Sequence, residues 1–160
     1  MAHEDIFVFF HMEMVDFIHR EASLSKDNTQ KEKWISKLET LGYHVGQRLI
    51  ERFTKESSHF KDELDVIKFI CKDLWNYIYK KQVDNLRKYQ QGVYVLQDNK
   101  FTLLVQMSTG IQYMESAAQY LAFPCGLIRG ALSNLGVNCI VTAQVSAIPA
   151  CKFQIQIQKT

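Results

Sequence analysis

The residues of this 160-residue chain that could do chemistry are five histidines, four cysteines and a short run of carboxylates, and their spacing speaks against catalysis. Ser58 and His59 are neighbours in sequence. On a helix that places them about 100° apart, where a base cannot take the hydroxyl proton, so His59 reads as a solvated or capping residue. His11, His19 and His44 fall beside apolar stripes of predicted helices and read as boundary residues or interface hydrogen-bonders, while His3 sits near the chain end. Cys71, Cys125, Cys139 and Cys151 are far apart and embedded in apolar sequence, with no CxxC or HxxxH pairing, which is the pattern of reduced core thiols rather than a zinc site. Asp62, Glu63 and Asp65 alternate with Lys61, Lys68 and Lys72, giving partners such as Asp65 with Lys68 on one exposed helical face. No phosphate-binding loop, dinucleotide fingerprint, nucleophile elbow, HExxH or kinase signature occurs. No catalytic residue, metal or cofactor is expected.

Bulk properties narrow the classes further. A chain that is 47% hydrophobic and 22% charged packs a core rather than staying disordered, and its length suits one domain, here residues 1–160. Nineteen basic against seventeen acidic residues leave +2, too little to hold a nucleic-acid backbone. Lys80, Lys81, Arg87 and Lys88 form a modest basic patch, read as a solvated edge, so that membrane contact is peripheral at most. The apolar run at 6–10 is short and follows Glu4 and Asp5, unlike a signal peptide. Ala2 and Thr160 offer neither a myristoyl nor a prenyl signal, and a soluble cytosolic protein is expected.

These residues must be positioned by helices and strands, and the pattern predicts both. An apolar segment over about 4–22 forms a first helix that is greasy on more than one side; residues 23–33 are polar and aperiodic, a loop. Trp34, Leu38, Leu41, Val45, Leu49 and Phe53 mark a second helix over 34–53. A third, capped by Ser57 or Ser58, carries Phe60, Leu64, Ile67, Cys71, Leu74, Trp75 and Ile78. The fourth contains "CGLIRGALSNLG" (125–136), beginning around Ala118 or at Pro124 and closed by Gly136. Gly42 and Gly46 in the second helix, and Gly126 and Gly130 in the fourth, each cost roughly 1 kcal/mol relative to alanine, so they are expected to serve close helix packing together with Cys125. Arg129, between two glycines on an apolar helix, needs a carboxylate or carbonyls nearby. Strands are predicted at about 84–90, 92–97, 138–146 and 151–159, and 100–116 as an extended connection. The fold class is α+β, with about four long helices on one face of a four-stranded antiparallel sheet.

The blocks "LGYHVGQRLIERF" (41–53), "FKDELDVIKFICKDLW" (60–75), "VYVLQDN" (93–99) and 125–136 closely resemble the small-subunit family of the TRAPP vesicle-tethering complex, in particular its subunit-six group. The resemblance spans nearly the whole chain. It implies a twisted antiparallel sheet under long helices, no catalysis, and heterodimerisation with the acyl-binding small TRAPP subunit. It implies contact with other TRAPP subunits too, and with a Rab GTPase only through the assembled exchange complex of endoplasmic reticulum to Golgi transport. Such a protein is cytoplasmic and peripheral on cis-Golgi and endoplasmic reticulum membranes. A homodimer is open to the isolated chain. The surplus apolar surface of the first two helices places the partner interface on Phe7, Phe10, Met14, Phe17, Leu38, Leu41, Val45 and Leu49, any one of which could equally fill the domain's own core. The acyl-binding relative carries a cysteine just before its third helix; Ser57 and Ser58 stand there in this chain, so no acylation is expected. Pro124 replaces a small hydroxyl residue, which shifts the start of the fourth helix. A domain holding a small hydrophobic molecule is the alternative.

Overall fold

The computed structural model describes residues 6–24, 28–54, 60–107 and 117–158. Two long helices open the chain, α1 (Ile6–Ser23) and α2 (Asn28–Thr54). A third helical rod follows, made of α3 (Glu63–Phe69), a π-helical turn (Ile70–Leu74) and α4 (Trp75–Tyr79). Strands β1 (Asn85–Tyr89) and β2 (Val93–Asp98) form a hairpin, α5 (Thr102–Met107) and α6 (Ala117–Asn134) return along the helical layer, and β3 (Cys139–Ala147) and β4 (Ala150–Ile157) complete the chain. The sheet is antiparallel throughout, in the order β1-β2-β4-β3.

Local chemistry explains the boundaries. Asp62, in extended conformation, caps α3 by accepting the Asp65 N–H at 2.9 Å, and Glu63 and Asp65 complement the helix dipole. The rod ends where Lys80 turns left-handed. Gly136, at φ 85°, closes α6: its N–H reaches the Ser133 carbonyl and the Val137 N–H reaches that of Leu132, the paired bonds of a Schellman cap.

One face of the sheet is buried. Tyr94, Leu96 and Asp98 of β2 lie opposite Ile155, Phe153 and Cys151 of β4, and all six are buried. The intervening residues, Lys152, Gln154 and Gln156, face solvent, as alternation demands. Above the buried face, Trp75 packs at 5.4 Å from Phe153 and 5.7 Å from Phe101, with Tyr79 4.7 Å away, ring centroid to centroid. Each such fully buried side chain contributes on the order of 1.5–3 kcal/mol.

The structure departs from the sequence expectations in three elements. The predicted loop at 23–33 is already helical from Asn28. Residues 102–107 of the supposed connection are helix α5, whose Leu103 and Leu104 are completely buried. The cap of the third helix is Asp62, because its short carboxylate sits three residues before a free N–H. Of the two starts expected for the fourth helix the earlier one holds: α6 runs from Ala117, so Pro124 lies inside it and leaves the Tyr120 carbonyl without a helical N–H partner. Ser57, Ser58 and residues 108–116 lie outside the described residues.

Candidate interaction surface

Behind the candidate surface runs a seam in which α2 and α6 touch backbone to backbone. A Cβ placed on Gly42 would lie 2.2 Å from the Phe123 carbonyl oxygen, and one on Gly46 2.1 Å from that of Leu127. From the other side, Gly126 and Gly130 would meet the carbonyl oxygens of Glu39 and Tyr43 at 1.9 and 2.0 Å. The four glycines thus interlock, each facing the other helix's main chain, and dispersion attraction along the seam offsets their propensity cost. Cys125 is buried beside it. At the rim, the Arg129 guanidinium lies over the Tyr43 ring at 4.3 Å, with its Nε 3.3 Å from Glu39 Oε1; this is a charge contact rather than an aligned hydrogen bond. Tyr43 Oη and Ser133 Oγ share a hydrogen bond at 2.9 Å, and Asn134 Nδ2 donates to the Gln47 carbonyl at 3.0 Å.

On this rigid pair lies α1, held by His11, which is buried with its ring 4.6 Å from that of Phe123. Burial drives the His11 pKa down to about 3. The opposite side of α1 is open and apolar. Phe10 and Phe17, seven residues apart on α1, are 68% and 54% exposed, Leu24 in the turn just after the helix continues the same step at 80%, and Phe9 is exposed on the flank. On α2, Leu41 is 45% exposed. Met14, Val45 and Leu49 are half-buried against the core. Leu38 is a correction: it is fully buried, because its position on the α2 wheel turns toward the core, and it belongs to the core cluster instead of a partner surface. The Phe7 side chain lies outside those described. Phe9 and Leu24 were missed; the seven-residue step from Phe17 signals Leu24, which the polar run after Ser23 masked.

A buried Asp98 is the feature nearest to an active site. Trp75 Nε1–H donates to one carboxylate oxygen at 2.9 Å, and the other accepts from the Lys81 ammonium and from the Lys100 N–H. Lys81 also reaches Asp84 at 3.1 Å, and the Asn99 N–H binds the same Asp84 oxygen at 2.7 Å. Burial opposes the charge on Lys81, but the two carboxylates outweigh it and hold its pKa above the ordinary lysine value. The Asn99 N–H keeps Asp84 acidic, against some burial and aided by Lys81. The charges of Asp98, Lys81 and Asp84 answer one another, so the cluster pins the link between α4 and β1 to the end of β2. Asp98 holds an inward position of the alternating strand after Tyr94 and Leu96, the one sequence signal that could have found it. Burial pushes the thiols of Cys71 and Cys125 up to about 12, and that of Cys139 up to about 11, far from thiolate chemistry. Among the described residues no group of histidines, cysteines and carboxylates could hold a metal, and no helix is long and apolar enough to cross a membrane.

The helical layer is thus stiffened by a glycine seam and carries an exposed apolar stripe, and the buried polar cluster beside it is satisfied from within. The chain belongs to the transport protein particle (TRAPP) component family, whose model matches residues 7–158. It is 59% identical over 159 residues to human trafficking protein particle complex subunit 6B, covering 99% of both chains. It is 49% identical to human subunit 6A over the full length of both. The fold is shared with the crystal structure of a subunit 3 from Naegleria fowleri covalently bound to palmitic acid, at a TM-score of 0.71 and 18% identity, over 96% of this chain and 95% of that one.

Proposed function

We propose that the chain is a non-catalytic structural subunit of a TRAPP tethering and Rab guanine-nucleotide exchange complex in endoplasmic reticulum to Golgi transport. It acts by heterodimerising through α1 and α2 with the acyl-binding small TRAPP subunit. The observation that carries this reading is the exposed stripe of Phe10, Phe17 and Leu24, with Leu41 on the neighbouring helix. Contiguous apolar surface on a helix pair is stabilised most when a second helical surface covers it, and aromatic side chains there are the usual anchors of an interface. The names of the subunit 6B and 6A relatives support membership of the complex. The palmitate-bearing subunit 3 shows that this fold also serves an acyl-binding member. Contact with a Rab GTPase then arises only in the assembled complex, and the chain works in the cytoplasm, peripherally on cis-Golgi and endoplasmic reticulum membranes. A filled core around Ile67, with Phe60 and Phe69 ring to ring at 5.4 Å, weighs against a small hydrophobic ligand as its purpose.

The test is the mass in solution by light scattering, for the chain alone and mixed with the acyl-binding subunit. A one-to-one complex is expected. A chain that keeps its own mass in the mixture overturns the proposal.

A further inference from the structure

The helices cover one face of the sheet, and the other carries a hollow that pairing through α1 and α2 does not use. Tyr89, Val93 and Val95 line its apolar part and Thr142, Gln144, Gln154 and Lys152 its polar part, around a half-open hollow of about 310 Å³. A smaller hollow of about 70 Å³ adjoins it and brings in Arg87. The strand sequences make this face one-signed. Asp98 is the only carboxylate in the four strands, and it is buried on the helical side. Lys88 also turns to that side, toward the Tyr94 ring. Arg87 and Lys152 remain on the open face, and among the described residues neither belongs to an ion pair. Tyr89 and Ile140 stay half exposed on the same face.

From this face we infer that the hollow docks an acidic linear segment of a partner protein, with one apolar side chain seated on Val93 and Val95 and flanking carboxylates on Arg87 and Lys152. Charge complementarity selects the sign of the partner, since an acidic rim meets two uncompensated cations and a basic one is repelled. The amides of Gln144 and Gln154 and the Thr142 hydroxyl can satisfy the segment's polar backbone. Shape selects a peptide over a bilayer, because a flat headgroup surface cannot reach a concave floor and two cations give it little hold.

The experiment is selection of a displayed random peptide library on the full chain already paired with its α1/α2 partner, repeated on the Arg87→Glu, Lys152→Glu double variant. Both residues occupy solvent-facing strand positions, and an unchanged melting temperature and retained pairing establish that the variant is intact. Peptides bearing an apolar residue beside Asp or Glu are expected to be enriched. Reversing both rim charges should weaken them by roughly tenfold, and exchanging the peptide carboxylates for lysine should restore binding to the double variant. Enrichment of peptides without carboxylates, affinity indifferent to the double substitution, or binding to phosphatidylserine vesicles without any peptide enrichment would each overturn the inference. Because pairing is measured separately, failure here is distinct from failure of the proposed heterodimer.

Discussion

Replacing Gly46 by alanine sets helix propensity against packing, and the two predict opposite signs. In an exposed helix interior the change should stabilise by roughly 1 kcal/mol. Here the new methyl would lie 2.1 Å from the Leu127 carbonyl oxygen, 2.9 Å from its carbon and 3.0 Å from the Ala131 nitrogen. All three are main-chain atoms, so no rotamer change can relieve the clash, and α2 must move from α6 by about an ångström. A gap of 0.5–1 Å forfeits roughly a quarter to a half of each dispersion well it touches. Overpacking a tight core costs about 1–3 kcal/mol, and the upper end applies where both sides are backbone. Less the propensity gain, Gly46→Ala should destabilise by about 2 kcal/mol, which for a domain of this size lowers the melting temperature by roughly 4–8 °C. Thermal and urea unfolding of the variant measure this directly. A melting temperature equal to or above the wild type would refute the interlocked seam.

Other consequences follow from the same geometry. The folded His11 stays neutral down to about pH 3 while the unfolded chain takes up its proton near 6.5, so the unfolded state binds more protons and stability falls on acidification. The loss should approach about 1.4 kcal/mol per pH unit below 6.5, and His11→Leu should flatten the urea-midpoint profile between those values; an unchanged slope contradicts the buried neutral imidazole. Trp75→Phe removes the donor to Asp98 Oδ2 and should cost about 1–3 kcal/mol in urea unfolding, whereas a neutral change would show the carboxylate satisfied without it.

Which parts of this architecture were legible in sequence follows from the range of each signal. The alternation of Phe153, Ile155 and Ile157 against glutamines is a local pattern, and β4 sits where it predicts. The second and fourth helices likewise follow their 3.6-residue period. The α5 helix was not legible, because "FTLLVQM" is short and mostly apolar, and its length suits strand and helix alike. At the start of α2, packing of the long helix carries Asn28–Lys33 along despite their polar composition. The glycine pairs announced close packing, but that each pair faces the other is a tertiary fact. Leu38 shows the remaining limit: periodicity tells that a residue lies on an apolar stripe, and only the fold tells which side of a stripe meets the core and which meets solvent.

The claim at the centre of this account is that the open stripe of α1 and α2 is a pairing surface. The measurement that tests it most directly is the dissociation constant for the acyl-binding small TRAPP subunit, compared across wild type, Phe10→Asp, Phe17→Asp, Leu41→Asp and the polar-face control Ser36→Asp. The exposed positions should leave the monomer's melting temperature nearly unchanged. Each of the three apolar substitutions should weaken pairing by about 2 kcal/mol, close to thirtyfold, and Ser36→Asp should not. Equal affinities across the set, in folded proteins, would contradict the account.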